Sequence, residues 1–165
     1  MKTLYIIGNG FDMYHGLDTK YQSFGFFLKK KHSRIYDYLT DYYGLPHLED
    51  IDDNYYEWAN FERVLADLDY ESVLDDNSDY LPNIASDEFK SGDWHALQQV
   101  MNGVVDDLTD NLFKAFKEFI LNVHFPKISS SDLLKIDKYS FFISFNYTDS
   151  LEHYYNITAK NVFYI

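Results

Sequence analysis

Two short segments of this 165-residue sequence have residue types that could hold a ligand, and each directly follows an apolar run. Gly8–Gly10, a Gly-Asn-Gly sequence, follows Leu4–Ile7, and Asn146–Thr148 follows Tyr139–Phe145. Glycine lets a ligand approach the backbone with no Cβ in its way, and an asparagine at a strand end can hold a ribose hydroxyl or orient a water. If the two runs are neighbouring parallel strands, both segments face one crevice beyond their carboxyl ends, where open α/β sheets bind ligands.

The Gly-Asn-Gly segment also has a simpler interpretation as an ordinary strand-to-helix turn. It matches the dinucleotide fingerprint only in part, because Met13 stands at the third glycine position and Leu28 and Lys29 lie where an acid would contact the ribose. Asp12 could recognise a ribose or a base, or it could cap local amides. His15 is a candidate for proton transfer, but an exposed loop position is the favoured expectation for it.

Other polar residues have both a functional and a structural interpretation. Glu62 falls on the apolar side of a predicted helix with Trp58 and Leu65, and a buried carboxylate needs a partner or a function. A position at the flank of that face, with the head group in water, is the commoner outcome. Asn146 and Thr148 could simply cap the helix that follows them.

The composition restricts the classes of function. With 27 acidic against 14 basic residues, the net charge of −13 argues against general nucleic-acid binding, but not against a small phosphorylated ligand. The absence of cysteine excludes thiolate chemistry, and the six histidines show no ligand spacing, so no metal is expected. Lys29–Lys31 is expected to be a solvated helix face. No segment has the length of a signal sequence or a membrane span, so we expect a cytoplasmic protein.

The hydrophobic pattern predicts a small parallel Rossmann-like α/β sheet with a large helical insertion after the first strand. We expect one domain over residues 1–165, with a strand at 3–8, the insertion at about 19–135 and a strand-helix-strand unit at 139–165. Three strands make a very small parallel sheet, so the chain is expected to be the N-terminal part of a longer protein. The first predicted helix begins near Lys20, and others cover Ser33–Tyr43, Val105–Val123 and Asp149–Tyr155. A further helix, capped by Asn54, is predicted to have Trp58, Phe61, Leu65 and Leu68 on one face. Residues 69–93 are expected to be mostly loops.

Three ordered blocks lie along the sequence: LYIIGNGFDMYHGLDTKYQSF at residues 4–24, WANFE at 58–62 and SFNYTDSLEHYY at 144–155. Together they resemble the AbiH family of phage abortive-infection proteins. The resemblance implies a bacterial cytoplasmic protein that acts in antiviral defence by arresting or killing the infected cell.

The first and last blocks also resemble, more distantly, the sirtuin-like fold and its NAD-cleaving members. That resemblance implies that Gly8 and Gly10 form the dinucleotide-binding turn and that Asn146 positions ribose and water. Thr148 stands where the sirtuin-like motif has an aspartate, and the His-Gly that supplies the catalytic base would fall just past Ile165.

Together these interpretations predict a defence protein with a nucleotide-binding core, with NAD as substrate and NAD glycohydrolase activity in the full-length protein. The predicted catalytic residues are Asn146 and Glu62, and the predicted ligand-binding residues are Gly8, Asn9, Gly10, Phe11, Asp12, Asn146, Tyr147 and Thr148. The alternative is a non-catalytic nucleotide sensor, or a module that binds a phage or host protein or a second copy of the chain. A nuclease is a weaker option, because no clustered acidic and lysine metal motif stands out.

Overall fold

A computed structural model describes residues 3–49, 56–81, 92 and 95–165 of the protein. The chain divides into two compact units: a sheet unit formed by Met1–Lys20 and Phe119–Ile165, and a helical unit formed by Tyr21–Glu118. The elements in chain order are β1 (Leu4–Ile7), α1 (Asn9–Tyr14), α2 (Tyr21–Lys31), α3 (Ser33–Tyr43), α4 (Tyr56–Ala59), α5 (Phe61–Val64), α6 (Tyr70–Asp76), a 3₁₀ turn (Ser78–Tyr80), α7 (Ala96–Asp106), a π-helical turn (Asp107–Asn111), α8 (Leu112–Leu121), β2 (Phe141–Ser144), α9 (Ser150–Tyr155), a second 3₁₀ turn (Ala159–Asn161) and β3 (Val162–Tyr164).

The sheet unit contains a three-stranded parallel sheet in the order β1-β2-β3. Leu4 pairs with Phe141 and Ile7 with Ser144, so β1 and β2 end at the same edge. This confirms the predicted mixed α/β class, the small parallel sheet and the strand assignments at both ends of the chain. Its identity as a Rossmann or sirtuin-like sheet stays a prediction.

One face of the sheet is covered by α1 and α9. Phe11 from α1 and Leu151 from α9 pack with Phe142 of β2 and with Ile157 in a single apolar cluster. On the opposite face, large apolar side chains are exposed in all three strands: Leu4, Ile6, Phe141 and Phe163. Parallel sheets normally have both faces covered. The expectation that the protein is longer than this chain stays a prediction.

The WANFE segment forms part of the core of the helical unit. Trp58 is fully buried, stacks on Phe61 with ring centroids 5.9 Å apart, and donates from its indole N–H to the Pro46 carbonyl at 2.9 Å. Gly25 of α2 lies directly against this tryptophan. A Cβ at Gly25 would lie 2.6 Å from Leu48 Cδ1 and 2.7 Å from Trp58 Cζ3, so only glycine fits there.

Two features of the central region differ from the sequence-based expectation. The helix that contains Trp58 is interrupted at Asn60 and ends at Val64, so Leu65 and Leu68 lie beyond it. Part of the predicted loop region is helical: Asp69 caps α6, and its carboxylate accepts a hydrogen bond from the Ser72 N–H at 3.1 Å. The predicted cap Asn54 and residues 82–91, 93 and 94 lie outside the described residues.

The helix predicted over 105–123 begins earlier, at Ala96, and contains the π-helical turn. A π-turn holds one residue more than an α-turn, so it rotates the buried face of the preceding segment. Val104 is therefore buried and Val105 is 54% exposed, contrary to the predicted stripe. Asp107, at the start of the π-turn, is buried for the same reason. Among the helices that the structure describes, none is long and apolar enough to cross a bilayer.

Candidate functional site

The carboxyl ends of β1 and β2 bring the two predicted ligand-binding segments to the same edge of the sheet. The first turn of α1 follows β1 at once, with the Phe11 N–H donating to the Gly8 carbonyl at 2.8 Å. Asn146 lies two residues beyond Ser144, the last residue of β2, and its N–H donates to the Ser144 hydroxyl at 3.2 Å. The Gly-Asn-Gly segment is thus the start of a short helix rather than an open loop.

Asp12 is the centre of a buried hydrogen-bonded cluster at this edge. Its side chain is 1% exposed, and Oδ1 accepts from Asn146 Nδ2 at 2.9 Å and from the Ser150 hydroxyl at 2.6 Å. Its Oδ2 accepts from the Thr148 hydroxyl at 2.6 Å. Such bonds to a carboxylate are shorter and stronger than those between neutral groups. We call these four residues the Asp12 cluster.

The cluster is built by an alternation that continues past the end of β2. Ser144, Asn146, Thr148 and Ser150 are all buried, whereas Phe145, Tyr147 and Asp149 between them are exposed. Three of these buried side chains, from Asn146, Thr148 and Ser150, donate to Asp12. Sequence reasoning missed Ser150, although the polar residues at every second position from Ser144 were a usable signal.

Asn146 has one polar atom that this cluster does not satisfy. Its Oδ1 is buried and has no hydrogen-bond partner among the residues that the structure describes. Donation from Nδ2 to Asp12 fixes the amide, so Oδ1 points to the opposite side of the side chain. A buried unpaired acceptor costs about 1–3 kcal/mol, and in native proteins it is uncommon.

The other predicted ligand-binding residues have contrasting positions. Gly8 is extended, with φ −142° and ψ −170°, and within the described part of the chain a Cβ at Gly8 or Gly10 would meet no atom within 4 Å. Neither backbone strain nor packing therefore requires glycine at these two positions. Asn9 is exposed, and its Nδ2 donates to the Thr19 carbonyl at 3.2 Å. Phe11 is buried in the apolar cluster.

His15 is buried, which contradicts the expectation that it lies exposed in a loop. It is 2% exposed, and its Nδ1 lies 2.6 Å from the Phe11 carbonyl oxygen. A carbonyl only accepts, so Nδ1 carries the proton and Nε2 accepts from the Tyr155 hydroxyl at 2.7 Å in the neutral ring. The Tyr155 oxygen also accepts from the Leu134 N–H at 3.0 Å. His15 thus links α1 to α9 through its contacts with Phe11 and Tyr155. The local sequence around His15 predicted only a loop, because Tyr155 is far away in the chain.

Burial changes the ionisation of tyrosines near the cluster. Burial raises the pKa of Tyr154, and the negative charge of Asp12 raises that pKa further. Burial also raises the pKa of Tyr155. At the end of β3, burial and the carboxylate of Glu152 raise the pKa of Tyr164 far above its ordinary value. The Tyr164 hydroxyl donates to Glu152 at 2.8 Å. All three tyrosines are therefore neutral donors or acceptors near neutral pH.

Glu62 lies in α5 of the helical unit, separate from the sheet unit that holds the Asp12 cluster. Its carboxylate accepts a hydrogen bond from the Tyr21 hydroxyl. The predicted catalytic role of Glu62 stays a prediction. In the described ranges, no group of three histidine or acidic side chains could hold a metal ion.

The polar groups at the sheet edge differ in whether they already have hydrogen-bond partners. Both oxygens of Asp12 already accept hydrogen bonds, and both ring nitrogens of buried His15 lie within hydrogen-bond distance of a partner. Buried Asn146 Oδ1 has no hydrogen-bond partner among the described residues, and the space beside Gly8 and Gly10 is open.

The fold and this edge define a mixed α/β protein with a parallel sheet and a polar cluster where its first two strands end. The family model for bacteriophage abortive infection AbiH matches residues 4–165, and the chain belongs to that family. This confirms the resemblance drawn from the three sequence blocks and gives the protein a role in phage abortive infection. Neither the curated proteins nor the solved structures gave a match.

Proposed function

We propose that this AbiH-family protein binds a nicotinamide dinucleotide at the carboxyl ends of β1 and β2 as part of its abortive-infection role. The observation that carries the proposal is the buried, unpaired Oδ1 of Asn146. A ribose hydroxyl donating to this atom would supply the missing hydrogen bond. Asp12 acts as a positioning residue, because its bond to Nδ2 keeps the amide carbonyl directed to the ligand side.

The glycines support a ligand that approaches the backbone closely. Gly8 and Gly10 have room for a Cβ and no positive φ. A diphosphate held by main-chain N–H groups is the kind of ligand that requires a bare backbone at such a position. The ring of Tyr147, 59% exposed at the same edge, offers a flat surface for a base.

Hydrolysis of NAD is the catalytic form of the same proposal, implied by the sirtuin-like resemblance. Water would add to C1′ of the nicotinamide ribose, nicotinamide would leave, and one proton would be released. Asn146 would orient the attacking water. Without turnover, the protein is a nucleotide sensor.

Calorimetric titration with NAD, ADP-ribose and ATP tests the binding proposal. Gly10→Ala is the informative variant, because alanine fits the folded chain and suits a helix better than glycine. We expect unchanged or higher thermal stability and at least tenfold weaker NAD binding. Gly103→Ala, at an open position in α7, is the matched control and should bind like wild type.

Two results would contradict the proposal. One is the absence of binding to all three nucleotides, and the other is equal affinity of wild type and Gly10→Ala. Chromatography of the same samples for free nicotinamide separates hydrolysis from sensing.

A further inference from the structure

We propose a second binding site, a pocket for a phosphate-bearing anion in the helical unit, lined by residues of α2, α3, the π-helical turn and α8. The pocket has a volume of about 460 Å³, within the range of small-molecule sites. Lys31, Arg34 and Lys114 line it, with Asp107 as the acidic lining residue. Three positive charges against one negative charge leave a net charge of +2 on the lining with His32 neutral, in a chain whose net charge is −13.

Asp107 holds Arg34 in place for this role. Arg34 Nε lies 2.6 Å from Asp107 Oδ2, and Asn111 Nδ2 donates to Asp107 Oδ1 at 2.8 Å. The carboxylate is buried, whereas the guanidinium is mostly exposed. Because Nε makes the ion pair, the two terminal nitrogens of the guanidinium remain for a ligand, in a fork that matches phosphate.

The π-helical turn is the unusual feature that makes this arrangement. The turn connects α7 to α8, so it interrupts an otherwise regular helix at the wall of the pocket. It also turns the side chain of Asp107 towards the interior. Burying a carboxylate is costly, and π-turns occur frequently at functional sites. Packing alone would be served better by an apolar residue at this position.

The start of α3 and one lysine add further donors. The N–H groups of Ser33 and Arg34, in the first turn of α3, have no partner within the helix, and both residues line the pocket. Lys114 approaches Asn111 Oδ1 at 3.4 Å and is otherwise placed to reach an anion. Lys31 also pairs with Glu118 at 3.0 Å, but this pair is exposed and therefore weak.

The Lys29–Lys31 run, expected to be only a solvated helix face, thus contributes one residue to a defined site. The ligand class is a small anion with one or more phosphoryl groups. The site is independent of the sheet edge, so it stands or falls separately from the dinucleotide proposal.

Inorganic pyrophosphate is the probe, and the full chain is titrated by calorimetry and by amide NMR. Lys114→Gln removes one pocket charge at an exposed position and is expected to weaken pyrophosphate binding roughly fivefold. Lys117→Gln is the matched control, with the same charge change on α8 outside the pocket lining. It should change the affinity less than twofold. The NMR shifts should map to the amides of Ser33, Arg34 and Asn111.

Arg34→Lys keeps the charge but loses the fork, and it should also weaken binding. The proposal is overturned if pyrophosphate does not bind, or if Lys114→Gln and Lys117→Gln weaken binding equally. It is also overturned if the NMR shifts caused by pyrophosphate are confined to Gly8–Gly10.

Discussion

Removing the carboxylate of Asp12 should destabilise the sheet unit more than any surface change near it. In Asp12→Ala, the three donors from Asn146, Thr148 and Ser150 lose their shared acceptor. Each bond to a carboxylate contributes about 1.5–3 kcal/mol, and burying that carboxylate costs several kcal/mol in return. The two hydroxyls can rotate to other acceptors, but the amide cannot. We expect a net loss of about 3 kcal/mol, a large share of the 5–15 kcal/mol that stabilises a typical domain.

Asp12→Asn should have a smaller effect, of about 1–2 kcal/mol, because one oxygen remains and a rotated hydroxyl can accept from the new amide. Asp149→Ala is the control within the same segment. Asp149 is exposed, and its side chain makes no capping hydrogen bond to α9, so the change should stay within about 0.5 kcal/mol.

Urea denaturation followed by far-ultraviolet circular dichroism gives the free energy of unfolding for each variant. Hydrogen exchange at the amides of β1 and β2 shows whether the loss falls on the sheet edge. If Asp12→Ala unfolds within 1 kcal/mol of wild type, or no differently from Asp149→Ala, then the cluster does not hold this edge together and the reasoning is refuted.

Three further changes test other parts of the structure. Gly25→Ala should lower the free energy of unfolding by about 1–3 kcal/mol, since a Cβ would overlap buried side chains, and a stability equal to wild type would disprove the close packing. Tyr155→Phe should lower the free energy of unfolding by about 1–3 kcal/mol, because it leaves Nε2 of buried His15 without its donor. An unchanged free energy of unfolding would show that His15 does not link α1 to α9. Hydrogen bonds from the N–H and hydroxyl of Ser72 lower the pKa of Asp69, so its stabilisation of α6 is present above the ordinary carboxyl pKa of 3.8 and is lost as the pH falls through the lowered folded-state pKa. Asp69→Ala should therefore lower the free energy of unfolding at pH 7 and have little effect well below that folded-state pKa. A loss that does not depend on pH would contradict this.

Much of the secondary structure could be predicted from local patterns. Apolar runs ended by glycine or asparagine identify β1 and β2, and the glycine after Tyr43 takes the left-handed conformation that ends α3. The shared edge of Gly8–Gly10 and Asn146 also follows from parallel pairing of two recognisable strands.

The remaining features depend on contacts between residues far apart in the chain. Buried His15 has its hydrogen-bond partner Tyr155 140 positions away in the chain. The π-turn places Asp107 inside, and a 3.6-residue period cannot show such an insertion. The positions of Asp12 and Ser150 in one cluster likewise require a contact across 138 positions.

The most direct test of the central claim is an NMR titration with NAD that follows the side-chain amide of Asn146 and the backbone amide of Gly10. The account predicts saturable shifts at both, with no shift at Gly103 in α7. Unchanged Asn146 and Gly10 signals at millimolar NAD would contradict it.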